Sequence, residues 1–222
     1  MSNNSKTAGN EDTRSKAARW WLDTAKVLVG AVVLMLVLRV AVVEAYRVPT
    51  GSMENTILAG DTILGNKFLY GARLPLLKVR LPALRAPRQG DVIVFKHPLE
   101  KGERLVKRVI AVAGQTVEVR NKEIYVDGRL MPLPETGKLM DEGALPAEIS
   151  PRDNLGPLLI PEDRLFVMGD NRDNSIDSRM WGLLDEDLIL GQAVLVLYSF
   201  EVHKHEPFWQ RIRWNRIGHI LH

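Results

Sequence analysis

The sequence predicts a mainly β protein in which one N-terminal transmembrane helix precedes a coiled β-sheet or barrel domain. Three observations lead to this fold class. An apolar stretch lies near the N-terminus, short β-branched segments separated by Gly and Pro fill the rest, and no long amphipathic helix follows residue 45. A chain of 222 residues that is 45% hydrophobic and 26% charged has room for one such domain and small extras.

The N-terminal segment divides into a polar tail, residues 1–19, and a predicted transmembrane anchor, residues 20–45. As a helix, Leu22–Val43 would extend about 33 Å, enough to cross a hydrocarbon core of about 30 Å. Two tryptophans at its start suit the membrane interface, and Arg39 near its end can reach the lipid headgroups. The segment is therefore expected to span a membrane once.

Two other interpretations of this segment are a cleaved signal peptide and a buried helix of a soluble domain. Val43-Glu44-Ala45 has the small residues that a cleavage site needs, but Arg39 interrupts the apolar run just before it. The uncleaved anchor is favoured over both. Basic residues precede the run and only Arg47 occurs in residues 46–65, so the N-terminus is expected in the cytoplasm and residues 46–222 outside.

Residues 46–222 are expected to form the β domain. Its predicted strands are rich in β-branched residues and end at turn signals; they are Asp91–Lys96, Arg104–Ala113, the hairpin Thr116–Arg120 with Glu123–Val126, Arg164–Met168, and Ala193–Phe200. Residues 131–163, rich in Pro, Gly and acidic residues, are predicted to be a small loop-rich insertion. Residues 207–222 hold two Trp beside several Arg, which indicates a membrane-surface segment or, equally, an amphipathic tail packed on the sheet.

Composition excludes several classes of chemistry. The net charge is +3 and the basic residues are spread along the chain, which argues against a nucleic-acid partner. The absence of Cys removes thiol nucleophiles, disulfides and Cys-ligated metals. The His residues lack metal-binding spacing, a calcium loop around Asp173–Asp177 lacks its Gly and closing Glu, and no phosphate-binding loop occurs. No metal and no cofactor is expected.

Three segments combine polar side chains with glycines and apolar strands. Pro49–Met53 places a Ser on a Gly-containing turn, Lys107 lies in an apolar strand, and Gly169–Gly182 holds many Asp, Asn, Ser and Arg residues. Each has an ordinary structural explanation: a turn before a strand, a lysine whose amine reaches water, and a turn network with internal Asp–Arg pairs. For Lys107 the alternative is a desolvated lysine, whose pKa falls because burial disfavours the charged form.

Taken together, these segments resemble the type I signal peptidases, membrane-anchored Ser–Lys proteases that remove signal peptides from exported proteins. The resemblance runs from the anchor to about Phe200. It rests on ordered blocks, of which the last is nearly diagnostic: Arg47–Met53, Gly60–Leu64 with Asn66–Gly71, Gly90–Phe95, Val106–Val109 and Gly169–Gly182. The implied activity is a membrane-bound serine endopeptidase that cleaves preproteins after small residues at the −1 and −3 positions.

The family's motifs imply a role for each matching residue. Ser52 would be the nucleophile and Lys107 the general base, acting as a neutral amine. The Ser52 N–H and the Thr50 hydroxyl would form the oxyanion hole, and Met53 would touch the bound substrate. The remaining residues would support the site; they are Ser175, which would orient Lys107, Asp177 paired with Arg179, and Asp170 and Arg172.

General chemistry agrees with these roles. A serine hydroxyl is a weak nucleophile until a base removes its proton. Lysine can do this near pH 8 only if its pKa falls about 2–3 units from ~10.4, so a carboxylate buried against Lys107 would be unfavourable. This chain has Thr50 where the family often has Ser, which restricts a rotamer, and Asn55 where the family often has Pro, which alters turn rigidity.

The resemblance also implies partners and a location. The partners are the signal peptides of preproteins in the membrane and the phospholipid bilayer, and the location is the bacterial cytoplasmic membrane with the catalytic domain on its outer or periplasmic side. Two rival functions remain open. A self-cleaving Ser–Lys repressor protease needs a DNA-binding domain where this chain has an anchor, and a catalytically inactive tethered module would be expected to lose Ser52 or Lys107.

Overall fold

Two compact units, Met1–Ala41 and Val42–His222, make up the chain in a computed structural model. The structure describes residues 19–32, 35, 42–71, 73–74, 79–80, 82–201 and 206–221. In the first unit, residues 19–32 are helical, and part of the predicted anchor, residues 33–34 and 36–41, lies outside the described residues. Within the described part of the chain, no helix is both long enough and apolar enough to cross a bilayer.

The second unit is mainly β, as the sequence predicts. Its strands in chain order are β1 (Val43–Arg47), β2 (Asp61–Asn66), β3 (Arg73–Leu74), β4 (Val79–Arg80), β5 (Val92–Lys96), β6 (Arg104–Ala111), β7 (Thr116–Arg120), β8 (Glu123–Val126), β9 (Arg129–Met131), β10 (Leu155–Leu159), β11 (Arg164–Met168), β12 (Leu184–Asp185) and β13 (Ile189–Ser199). The main sheet has the order β1-β2-β13-β5-β6-β11-β12, and β3 and β4 form a separate pair. Shifts of register in the pairs that β13 makes with β2 and β5 mark bulges, which bend strands.

The first strand corrects the predicted end of the membrane anchor. β1 pairs antiparallel with β2, with Ala45 opposite Leu64, and Tyr46 is buried in the core. Residues 43–45 are therefore strand rather than membrane helix, because their backbone groups pair with a neighbouring strand. The apolar character of this segment comes partly from a strand that covers the core and not only from the anchor.

A second sheet, in the order β10-β7-β8-β9, follows β6 in the chain. The predicted hairpin of β7 and β8 is confirmed, and its turn residues Asn121 and Lys122 have φ values of 48° and 73°, as a two-residue hairpin turn requires. The predicted loop-rich insertion, residues 131–163, is mostly turns and loops, but it contains a strand that was not predicted. Its residues Leu155–Leu159 form β10 and pair with β7, because an otherwise unpaired edge of the second sheet accepts them.

Alternation along β6 decides which side chains enter which part of the core. Val106 packs in one apolar cluster with Met53 and Val94, and Val109 packs in another with Ile93. Lys107 lies between them and pairs with Ile93 of β5 across the sheet. The centre of the sheet therefore surrounds the lysine with apolar side chains.

The C-terminal residues 206–221 pack against the start of the domain. Arg216 Nη2 donates to Asp61 Oδ2 at 2.7 Å and to the carbonyl of Thr56 at 2.9 Å, and Leu221 is buried in the core. Other side chains of this segment are exposed and apolar; they are Phe208, Trp209, Trp214, Ile217 and Ile220. The segment thus packs on the sheet through some of its residues and exposes aromatic rings through others.

Candidate active site

Ser52 lies in the turn that connects β1 to β2. Backbone hydrogen bonds define this turn: Glu54 N–H donates to the Gly51 carbonyl at 3.0 Å, and Ile57 N–H donates to the Met53 carbonyl at 2.7 Å. The Thr50 hydroxyl lies 3.5 Å from the Ser52 hydroxyl, so both predicted groups face the same point. Asn55 has a φ of 74°, a left-handed conformation that Asn tolerates.

Lys107 is enclosed at the centre of β6, with 1% of its surface exposed. Its Nζ donates to Ser175 Oγ at 2.9 Å, as the family's arrangement implies. Burial lowers the pKa of Lys107 to about 8, although the charge of Asp177 acts to raise it. A buried amine with this pKa is neutral in a substantial fraction of molecules at mildly alkaline pH.

Asp177 joins the loop of Ser175 to Arg179. Its two oxygens accept Arg179 Nε and Nη2, each at 2.8 Å, and Oδ2 also accepts the Gly169 N–H at 3.1 Å. Burial acts to raise the pKa of Asp177, but the hydrogen bonds of Arg179 outweigh it and lower the pKa, and a hydrogen bond from Ser175 contributes. The predicted Asp177–Arg179 pair is present, so the carboxylate near Lys107 is bound by a guanidinium.

Gly169, the residue after β11, brings the two serine-bearing segments together. A Cβ at this position would collide with Ser175 Oγ and with the carbonyl oxygen of Ser52. Only a residue without a side chain allows this approach. The position therefore sets how closely the loop that carries Ser175 can pack on the turn that carries Ser52.

Asp170 is held from the other face of β6. Arg108 donates to both of its oxygens, Nε to Oδ1 at 2.8 Å and Nη2 to Oδ2 at 2.7 Å, and the Thr56 hydroxyl donates at 2.6 Å. The sequence assigned no role to Arg108 or Thr56. The signal for Arg108 was its place next to Lys107 in a strand, which sends the two side chains to opposite faces.

Arg172 is buried, but its guanidinium is not part of these pairs. Nε and Nη2 have no hydrogen-bond partner among the residues that the structure describes, and burial lowers the pKa of Arg172 to about 10. Its backbone carbonyl accepts Arg179 Nη2 at 2.6 Å. Arg172 is therefore linked to the Asp177–Arg179 pair through its own backbone carbonyl.

Two openings meet at Ser52. A cleft of about 600 Å³ is lined by Ser52, Lys107 and Ser175, together with Thr50 and Ile176. Among the described residues, Lys107 Nζ is hydrogen-bonded to Ser175 and not to Ser52, which is common for catalytic groups without substrate. On the other side of Ser52 a much smaller cleft, about 10 Å³, is lined mostly by apolar side chains; its residues are Arg47, Val48, Pro49, Thr50, Ser52, Met53, Arg104, Leu105 and Val106.

One group of possible metal ligands lies on the rim of the larger cleft. Atoms of His97, Glu100 and Glu103 come within 4.8 Å of one another. The Nδ1 of His97 already accepts the backbone N–H groups of Leu99 and Glu100, at 3.1 and 2.9 Å. This nitrogen is therefore occupied within the turn, and the two glutamates give the rim a negative charge.

The mainly β fold and the site, with a serine on a turn and a buried lysine in one cleft, define a serine peptidase. Residues 21–198 match the family described as signal peptidase, peptidase S26. The chain belongs to this family, and it is a serine endopeptidase that removes signal peptides.

Several proteins are similar to the chain over most of its length. Signal peptidase I of Pseudomonas aeruginosa is 35% identical over 197 residues, which cover 75% of this chain and 69% of that protein. The probable signal peptidase I-1 of Synechocystis is 35% identical over 198 residues, covering 86% and 84%. The crystal structure of a signal peptidase I from Enterococcus faecalis is 29% identical, with a TM-score of 0.40, and covers 50% of this chain and 98% of that chain.

Proposed function

We propose that the chain cleaves signal peptides through Ser52 as nucleophile and Lys107 as general base. The observation that carries this proposal is the buried Nζ of Lys107, which has a pKa of about 8 and shares one cleft with Ser52. Few structural roles require a lysine inside an apolar sheet, since burying its charge is unfavourable. A neutral amine beside a hydroxyl is the arrangement that activates a serine.

In the proposed reaction, Ser52 Oγ adds to the carbonyl carbon of the −1 residue while Lys107 Nζ takes the hydroxyl proton. The Ser52 N–H and the Thr50 hydroxyl donate to the oxyanion that forms. The ammonium then gives its proton to the leaving amine, so that the peptide bond breaks and an ester to Ser52 remains. Water hydrolyses this ester, with Lys107 accepting its proton and returning it to Ser52.

Ser175 and Asp177 support this assignment by directing the hydrogen bonds of Lys107. The single hydroxyl proton of Ser175 is used by Asp177, which leaves the Ser175 oxygen as an acceptor for Lys107 Nζ. A neutral amine that donates to Ser175 keeps its lone pair free for the proton of Ser52. Arg179 holds Asp177 in place through two hydrogen bonds.

The smaller cleft supports a preference for small residues at the −1 and −3 positions. Met53 and Val106 form part of its wall directly beside Ser52. A volume of about 10 Å³ holds little more than a water molecule or a methyl group. A larger side chain would have to displace buried core residues, which costs free energy.

We also propose that the catalytic domain works on the outer face of the bacterial cytoplasmic membrane, with residues 20–42 as a single-pass anchor and the N-terminus inside. The exposed aromatic residues within 206–221 suit the interface of a phospholipid bilayer, because Trp and Arg favour that region. Protease added to intact spheroplasts should spare an N-terminal tag and digest a C-terminal one. Loss of the N-terminal tag would reverse the topology.

The test of the proposed chemistry is cleavage of a purified preprotein by the detergent-solubilised full chain. Ser52→Ala should abolish product formation while thermal unfolding stays close to wild type. The matched control is Ser150→Ala, which changes a serine elsewhere on the same cleft and should retain cleavage. Wild-type turnover by Ser52→Ala would show that another residue is the nucleophile.

A further inference from the structure

The proposed oxyanion hole depends on the orientation of one peptide group, the one between Gly51 and Ser52. A trans peptide is planar, and its C=O and N–H point in opposite directions. Whatever binds the Gly51 carbonyl therefore also fixes the direction of the Ser52 N–H. A flip of this peptide would turn the carbonyl oxygen toward the oxyanion and remove a donor.

Asn171 holds this peptide from the far side. Its Nδ2 donates to the Gly51 carbonyl at 3.2 Å, and its backbone N–H donates to the Ser52 carbonyl at 3.1 Å. The side chain is fully buried, with 0% of its surface exposed. The peptides on both sides of the Ser52 Cα are therefore bound by the same residue.

The direction of the Asn171 amide is itself determined by neighbours. Nδ2 also donates to Glu54 Oε2 at 3.1 Å, and Lys138 Nζ donates to the same carboxylate oxygen at 3.0 Å. Two acceptors on one side of the amide require its NH₂ group there. Lys138 also pairs with Asn171 through the backbone, as an isolated parallel bridge.

We propose that Asn171 is a positioning residue that aims the Ser52 N–H at the oxyanion, with Glu54 and Lys138 holding its amide in register. This inference rests on the proposed function of Ser52. It also gives a role to the segment around Lys138, which lies within the predicted insertion, between β9 and β10 in the chain. Asn171 lies four residues before Ser175, so the same segment positions both the nucleophile's turn and the partner of Lys107.

Removal of this link should lower the rate of the chemical step and leave substrate affinity unchanged. Asn171→Ala is expected to reduce kcat at least tenfold with KM within about twofold. Complete loss of an oxyanion donor lowers kcat about 10²–10³-fold, and a misdirected donor loses part of this contribution. The acid limb of the pH profile should stay at the wild-type pKa, because the surroundings of Lys107 are unchanged. Asn171→Asp should be slower still, since its carboxylate would face Glu54 and the Gly51 carbonyl.

A peptide aldehyde carrying the −3 to −1 residues separates positioning from simple loss of structure. Its adduct with Ser52 bears an oxygen in the oxyanion hole, so its inhibition constant should rise about tenfold or more in Asn171→Ala while KM does not. The matched control is Asn154→Ala, because Asn154, directly before β10, likewise binds a backbone carbonyl, that of Leu145 at 2.8 Å. This control should keep wild-type kcat and aldehyde affinity.

The results distinguish this inference from the proposed function. If Ser52→Ala still cleaves the preprotein, the proposed nucleophile is wrong. If Ser52→Ala is inactive but Asn171→Ala keeps wild-type kcat and aldehyde affinity, only the positioning role is overturned. Should Asn171→Ala fail to fold, Glu54→Leu tests the same link on a side chain that is 40% exposed, with kcat expected to fall about threefold at unchanged KM. Wild-type kcat in that variant overturns the role.

Discussion

At the scale of single residues, Lys107 combines two properties that usually exclude each other. It is enclosed in an apolar sheet, and yet it carries a titratable amine that donates a hydrogen bond to the neutral hydroxyl of Ser175. Desolvation is the largest influence on its pKa, and Asp177 opposes it from beyond Ser175. Arg179 binds the carboxylate of Asp177, and the pKa of Lys107 stays low because burial lowers it more than this carboxylate raises it.

The first prediction concerns the charge of Lys107. Lys107→Arg should lower the turnover rate at least 10³-fold, because a guanidinium cannot give up its proton in the working pH range. In the wild type, kcat/KM should rise with pH through an apparent pKa near 8, since the deprotonated amine is the active form. Turnover of Lys107→Arg within tenfold of wild type would show that the base lies elsewhere.

A second prediction concerns Thr50, whose hydroxyl lies 3.5 Å from that of Ser52. Thr50→Val keeps the shape of the side chain and removes the donor, so kcat should fall by about 10²–10³. Thr50→Ser keeps the hydroxyl and should remain active. A Thr50→Val enzyme as fast as wild type in steady-state cleavage would exclude the hydroxyl from the oxyanion hole.

How far the site could be predicted depends on the kind of interaction. Ser52, Lys107 and the Asp177–Arg179 pair could be named because each stands in a recognisable block of the sequence. Arg108, Asn171 and Lys138 could not be assigned partners, since their contacts join segments far apart in the chain. Such partners depend on strand register and loop packing, which residue types alone do not determine.

At the scale of elements, the turn after β1 departs from what its family resemblance suggested. Asn55 adopts a φ of 74°, whereas the Pro often found at this position in the family is confined to about −65°. The turn of this chain therefore has its own geometry between Met53 and Ile57. From the sequence we expected Asn55 to change only the rigidity of the turn. The structure shows that it also changes the conformation of the turn.

The third prediction follows from that geometry. Asn55→Pro should destabilise the protein by about 1–3 kcal/mol and lower kcat, because proline cannot adopt the left-handed conformation. Asn55→Gly should fold at least as well as wild type, since glycine adopts positive φ without strain. Denaturant unfolding of the two variants measures the difference, and equal midpoints would mean that the turn is free to change shape.

The strands themselves were the most predictable elements. β-branched runs bounded by turn residues located β5, β6, β7, β8 and β11 within a few residues, because their periodicity and ends are local properties. The end of the anchor and the strand β10 were misplaced. The end of the anchor has an apolar sequence, and β10 lies in a loop-like sequence. In each case pairing with another strand, β2 or β7, determined the structure.

At the scale of the whole molecule, the buried lysine lowers stability. Its pKa is about 8 in the folded chain and 10.5 in the reference state, so the unfolded chain binds the proton more tightly. The cost is largest below pH 8, decreases as pH rises from 8 to 10.5, and disappears above that range. The cost of burying the charged lysine amounts to about 3 kcal/mol. An apolar variant would avoid this cost but would lose the hydrogen bond to Ser175, which contributes about 1 kcal/mol.

The fourth prediction is that Lys107→Met is inactive but more stable than wild type. At pH 7 its melting temperature should be higher by about 5 °C, and the difference should shrink as pH increases toward 10.5. Differential scanning calorimetry at pH 7 and pH 10 measures both. A Lys107→Met variant that melts below wild type at pH 7 would mean that the lysine is not buried in its charged form.

The contact of Arg216 with Asp61 and the Thr56 carbonyl has a consequence for biosynthesis. These residues are separated by about 155 positions, and Thr56 belongs to the turn that carries Ser52. A growing chain lacks Arg216 until 155 residues beyond Asp61 have been added, so the turn is synthesised long before this contact can form. The order of synthesis therefore separates the making of Ser52 from the fixing of the turn that carries it.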